Sequence, residues 1–183
     1  MPYTFDEHKA GLLQIGVVDD GVTSPVSVSN GTTTTIPTPP NVLGSICRAF
    51  DPLYGEGEFI LLKGVASTAV GSLVTYDGNT YATTLAAVTA NQARPVAVAM
   101  VANTSSTKFA WYQIAGTAVV ARTTGVRLNP TVAIGVTSIG KVAASSSGKE
   151  ILGARSANAA TVASATATVL VVMNRPHLQG RIT

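Results

Sequence analysis

The sequence predicts an all-β fold: a small β-barrel or sandwich over residues 46–183, preceded by an extended N-terminal arm over residues 1–45. Three observations carry this. Short segments rich in Val, Ile, Tyr and Phe recur at roughly ten-residue spacing, broken by Gly, Asn and Ser. Turn signals stand between them, strongest at Asp77-Gly78, where a hairpin is expected. Only 85–93, LAAVTANQA, reads as a short helix, on Ala and Leu propensity and with weak capping.

Each element has its own grounds. Residues 1–45 hold a Ser/Thr/Val stretch, Thr32 to Thr35, then Pro37, Pro39 and Pro40. Polar, β-branched, Pro-rich sequence without a strong apolar period suits an arm, although Val26, Val28 and Ile36 could pair at a sheet edge. Residues 46–49 read as a short strand. The turn Asp51-Pro52…Gly55-Glu56-Gly57 releases the compact apolar strand 59–62, and 72–76 follows. Residues 80–84 complete a hairpin after Asp77-Gly78-Asn79. The apolar run 96–101 suits a buried strand. Residues 109–114 form an aromatic strand with the only Trp, continued at 118–121 beyond Gly116. Strands at 132–136, 141–144, 151–154 and 168–173 complete the set. A weak internal repeat aligns 70–79 with 132–141 and 96–103 with 151–158, which predicts two similar hairpin-plus-strand units.

Composition limits the function. Only 11% of residues are charged, against about 25% in an average soluble domain, so a large share of the surface is expected to lie against something other than water. Residues 1–77 carry eight acids and three bases; residues 78–183 carry nine bases and one acid, Glu150. This division predicts complementarity between copies or with a partner. The bases fall singly, without the basic and aromatic run of a nucleic-acid site, so nucleic acid is not an expected partner. The N-terminal region shows no apolar secretory core, and the uncharged run 156–174 holds too many Ser, Thr and Asn for a membrane span. Cys47 stands alone and reads as a small core residue.

No catalytic constellation emerges, and no enzyme activity is expected. His8 and His177 lie near opposite ends, no glycine-rich phosphate loop is complete, and no His/Cys/Asp cluster has metal spacing. No cofactor or metal is expected. The candidate residues are interfacial. Glu56 and Glu58 alternate around Gly57 and would share one face of a strand, where they could meet a basic neighbour. Trp111 and Tyr112 are adjacent and would face opposite ways. Either one is core and the other an exposed aromatic for a sugar or protein contact, or both are core.

The strings GEGEFILLKGV (55–65), VGSLVTY (70–76), RPVAVAM (94–100), WYQIAG (111–116) and NRPHLQG (174–180) resemble small head decoration, or cement, proteins of tailed bacteriophages. The resemblance covers roughly residues 46–180. It implies a β-rich fold, a place on the outer capsid surface of the virion, the major capsid protein and further copies of the chain (dimer or trimer) as partners, and reinforcement of the shell. It supplies no catalytic residues. The alternative expectation is a receptor- or carbohydrate-binding β-module of a phage tail or fibre, with Trp111 or Tyr112 as its binding aromatic.

Overall fold

Strand pairing dominates the chain because apolar side chains alternate or run continuously between turn residues. The structure, a computed structural model, describes residues 4–5, 15–19, 22–29, 32–39, 41–130 and 132–181. Of the arm expected over 1–45, residues 1–3, 6–14 (with His8), 20–21, 30–31 and 40 lie outside the described residues. In chain order the strands are β1 (Thr4–Phe5), β2 (Val22–Ser29), β3 (Thr32–Thr38), β4 (Ile46–Asp51), β5 (Gly55–Lys63), β6 (Leu73–Tyr76) and β7 (Thr83–Leu85). There follow β8 (Val96–Ala99), β9 (Phe109–Ala121), β10 (Ala133–Ser138), β11 (Lys141–Ala144), β12 (Glu150–Ser156) and β13 (Thr168–Leu178). The fold is all-β.

Eleven strands form one antiparallel sheet ordered β1-β4-β5-β9-β13-β12-β10-β11, with β6, β7 and β8 branching from β9; β2 and β3 form a separate two-stranded hairpin. The sheet curls on both sides of β9. On one side, Lys63 N–H donates to Tyr81 O and the Thr83 hydroxyl to Lys63 O, which draws the β7 region back to β5. On the other, Arg122 bridges Val142 and Thr123 N–H donates to Val142 O, which draws β11 back to the end of β9.

The apolar core follows this geometry. Ile60, Leu62, Val74, Ala97, Ala99, Ala110, Tyr112 and Ile114 fill the first curl. Ala118, Val120, Ile134, Val136, Val142, Ile151, Val169, Val171 and Met173 belong to the larger cluster in the second. Phe59, Leu61, Phe109 and Trp111 point to the opposite face of β5 and β9, where they pack with Ala49, Met100 and Ile15. The segment carrying Ile15 is held by reciprocal backbone bonds between Asp19 and Phe109 of 2.9 and 2.8 Å.

The pairing pattern of β6 to β9 recurs in β10 to β13. Each set has a hairpin (β6–β7, β10–β11), a strand on the hairpin's first member (β8, β12) and a long strand beside that (β9, β13). The two sets differ in one respect. Tyr112 pairs with both β5 and β8, and Ala115 with both β5 and β13, so β8 shares an edge of β9 with β13. Met173 pairs with both β9 and β12, so β12 takes the edge of β13 opposite to β9.

Two local expectations are corrected. Residues 85–93 are not helical, and no helix occurs among the described residues. Leu85 ends β7, and the backbone donors beyond it turn outward to other strands: Ala86 N–H to Leu73 O, Asn91 N–H to Gly148 O and Ala93 N–H to Gln179 O. Asn91 and Ala93 take positive φ, which a helix forbids. Tertiary hydrogen bonding here overrides alanine's propensity. The Asp77-Gly78 site is likewise a wider loop than a two-residue turn. Asp77 Oδ1 accepts from Asn79 N–H, Thr80 N–H and the Thr80 hydroxyl, and Asp77 N–H closes the loop on Ala82 O.

Candidate interaction site

A line of irregularities crosses four adjacent strands and builds the site. The register of β5 shifts between Glu58 and Phe59, and that of β12 between Leu152 and Ala154, around Gly153. Between them lie Gly116 on β9 (φ +92°) and Arg175 on β13 (φ +44°). Bulges of this kind bend strands and re-aim side chains. Gly116 is required by contact as well as by φ, because a Cβ there would stand 2.3 Å from Glu56 O. Gln113, fully buried, steadies the bend: its side-chain amide N–H groups donate to Ala115 O and Thr117 O, each at 3.1 Å.

The bend places a lane of residues in register across the outer face: Arg48, Glu58, Ala115 and Asn174. Phe50 pairs with Glu56 beside it. Arg48, Glu56, Glu58 and Arg175 line an open cleft of about 400 Å³ with Gly57, Ala115, Gly116 and Asn174. The two oxygens of Glu58 take different arginines. Arg175 donates from Nε and Nη2 to Oε2 at 3.2 and 3.1 Å, and Arg48 Nη2 stands 3.4 Å from Oε1. Arg48 Nη1 also reaches Glu56 Oε1 at 3.4 Å. Arg175 holds a left-handed backbone conformation, unusual for a non-glycine residue and more so before Pro176. Such a conformation costs about 1–3 kcal/mol and persists only where the surroundings dictate it. Here the dictating surroundings are the bulge and the carboxylate of Glu58.

The expected site residues therefore separate. Glu56 and Glu58 do share one face, and Glu56 is exposed. Glu58 is committed within the chain: its side chain is only 18% exposed, and both oxygens are occupied. Trp111 and Tyr112 do face opposite ways, but both are core, at 1% and 0% exposure. The exposed-aromatic alternative is corrected, because β4 and Ile15 cover one face of β9 and β6 to β8 the other. Burial pushes the Tyr112 phenol up to about 12, with Thr83 and Asn103 beside it pulling the other way. Asp51, at the end of β4, is buried; its Oδ1 accepts from Leu53 and Tyr54 N–H groups and caps the β4–β5 turn.

Arg48 and Arg175 were not among the expected site residues. A register drawn through a turn at 52–54 would have set Arg48 opposite Glu58. No local signal marks Arg175, which lies 117 residues from its partner. Among the described residues no group of three or more His, Cys, Asp or Glu is placed to hold a metal ion, and no helix is long and apolar enough to cross a membrane. No family model matches the chain, nor does any curated protein or solved structure.

Proposed function

We propose that the chain is a structural virion protein that seats on the outer surface of a phage capsid, with the major capsid protein as its partner, and stabilises the shell. The observation that carries this reading is the β2–β3 hairpin. Among the described residues its eight- and seven-residue strands pair only with each other and form a sheet separate from the rest. At about 3.3 Å per residue the ribbon is about 26 Å long. A lone two-stranded ribbon is marginal in water. No charged residue occurs between Asp20 and Arg48, so charge does not guard its edges. In sequence it is flanked by Asp19, bonded to Phe109, on one side and by β4, paired with β5, on the other.

A ribbon of this kind gains its stability against a neighbouring surface. On a shell of repeated sites, modest contacts of this sort add through multivalency. The cleft fits an interfacial role better than a catalytic one, since its carboxylates already neutralise its guanidinium groups. The receptor- or carbohydrate-binding alternative rested on an exposed ring at 111 or 112, and no observation favours it.

The test is co-sedimentation of the purified protein with expanded, undecorated capsids, followed by thermal disruption of the particles. The expected result is saturable binding and a raised disruption temperature. Replacing residues 22–38 by a short Gly/Ser linker should leave the far-ultraviolet circular dichroism of the remaining sheet intact and abolish binding. Intact protein that neither sediments with nor stabilises any such particle overturns the proposal.

A further inference from the structure

We propose that the outer face of β4, β5, β9 and β13 is a self-association surface, on which two copies dock across a two-fold axis, burying Phe50 and Val172 and setting Arg48 of each copy against Glu56 of the other. The inference does not depend on where the protein works, and its test uses no capsid.

Register defines the face. Phe50 lies opposite Glu56, Arg48 opposite Glu58, Glu58 beside Ala115, and Ala115 beside Asn174. Val172 is two residues from Asn174 on β13, so it shares that face. Phe50 is 49% and Val172 47% exposed, and Leu53 in the β4–β5 turn is 78% exposed. Apolar residues thus flank a charged group with two cations and two anions. A two-fold contact brings one patch against itself, so it requires both signs of charge on the same patch, and this face has them.

The ion pairs are graded in a way that suits exchange. Glu58 and Arg175 are held by two hydrogen bonds and by the bend. Arg48 and Glu56 are each more than half exposed and stand 3.4 Å apart. An exposed pair of that length contributes little to the fold. Those two side chains can change partners at little cost to the chain that carries them: Arg48 would give up its 3.4 Å contact with Glu58 Oε1, while Arg175 keeps both of its hydrogen bonds to Oε2. A polyanion would require an excess of cations, which the face lacks. The four strands span about 15 Å at 4.8 Å spacing, so the contact fits a weak, concentration-dependent dimer and not an obligate one.

Sedimentation velocity over a wide concentration series tests this. Wild-type protein should pass from monomer to dimer as concentration rises. Phe50→Asp, and independently Val172→Asp, should remain monomeric while keeping the wild-type circular dichroism. Arg48→Glu makes the patch acidic and Glu56→Arg makes it basic; each alone should be monomeric, and an equimolar mixture of the two should form heterodimers. Restoration in the mixture separates an intermolecular pair from the intramolecular one. Wild-type protein that stays monomeric throughout overturns the proposal. So does an oligomer that persists in Phe50→Asp and Val172→Asp, or a mixture that associates no more than its components.

Discussion

Replacing Gly116 by alanine tests whether the bend in β9 builds the site. Two costs combine. At φ +92° an L-residue is strained, by about 1–3 kcal/mol. The new Cβ would also stand 2.3 Å from Glu56 O and must retreat to at least 3.4 Å, a displacement of about 1.1 Å between two backbones. Overpacking of this kind adds about 1–3 kcal/mol. The expected total is about 2–6 kcal/mol. Gly55 supplies the control: its φ is +77°, but nothing lies within 4 Å of its would-be Cβ, so Gly55→Ala carries the strain alone. Urea denaturation followed by Trp111 fluorescence reads both variants, since the only Trp is buried on β9, the strand of Gly116, where it pairs with β5, the strand of Gly55. The expected result is a Gly116→Ala loss exceeding that of Gly55→Ala by about 1–3 kcal/mol. Equal losses, or a larger loss for Gly55→Ala, would refute the claim that close approach of β9 to Glu56 shapes the bend.

The remaining predictions concern buried or capped polar groups. Tyr112 is raised to about 12 in the folded chain, so its contribution is fully present below the ordinary tyrosine range and is lost as pH rises from there through the folded value; the alkaline loss is on the order of 3 kcal/mol. Denaturation curves from about pH 9 to 12 should show Tyr112→Phe with a shallower alkaline decline than wild type. Arg122, 1% exposed, donates from Nη1 to Ala163 O at 2.7 Å and to Thr166 O at 2.9 Å. Arg122→Met should leave those carbonyls without their donor, cost about 2–4 kcal/mol and open residues 163–167 to limited proteolysis. Asp77 is held below the ordinary carboxylate range, chiefly by Thr80 N–H and then by Asn79 N–H and the Thr80 hydroxyl. Its stabilising effect is present above that range and fades as pH falls through its folded value. Thermal melts should therefore show wild type and Asp77→Ala converging in acid.

Features that depend on near neighbours in sequence were legible. The all-β class follows from segment length and turn residues, and the opposite orientation of Trp111 and Tyr112 follows from strand periodicity alone. What covers each ring was not legible, because the covers come from elsewhere: Ile15 and Ala49 on one face of β9, and Val74, Ala97 and Ala99 on the other. The helix expected at 85–93 fails for the same reason. Its partners are Leu73, Gly148 and Gln179, none of which a local window contains.

The division of charge along the chain was legible, but its use was not. The acidic half was expected to meet a basic neighbour, with Glu56 and Glu58 in front. In the fold the basic neighbour is the chain's own Arg175, carried to Glu58 by the pairing of β13 with β9 and of β9 with β5. Arg48, from the acidic half itself, takes the other oxygen. Glu58 is thereby removed from external contact, and the exposed remainder is the Arg48–Glu56 pair, which is neutral as a unit. A neutral face offers no long-range pull on a basic partner. It does offer short-range complementarity to a surface with the same alternation of sign, and a second copy of the chain carries that alternation on the same strands. The charge division thus operates first inside the fold, to hold the bend, and only what remains is available for recognition.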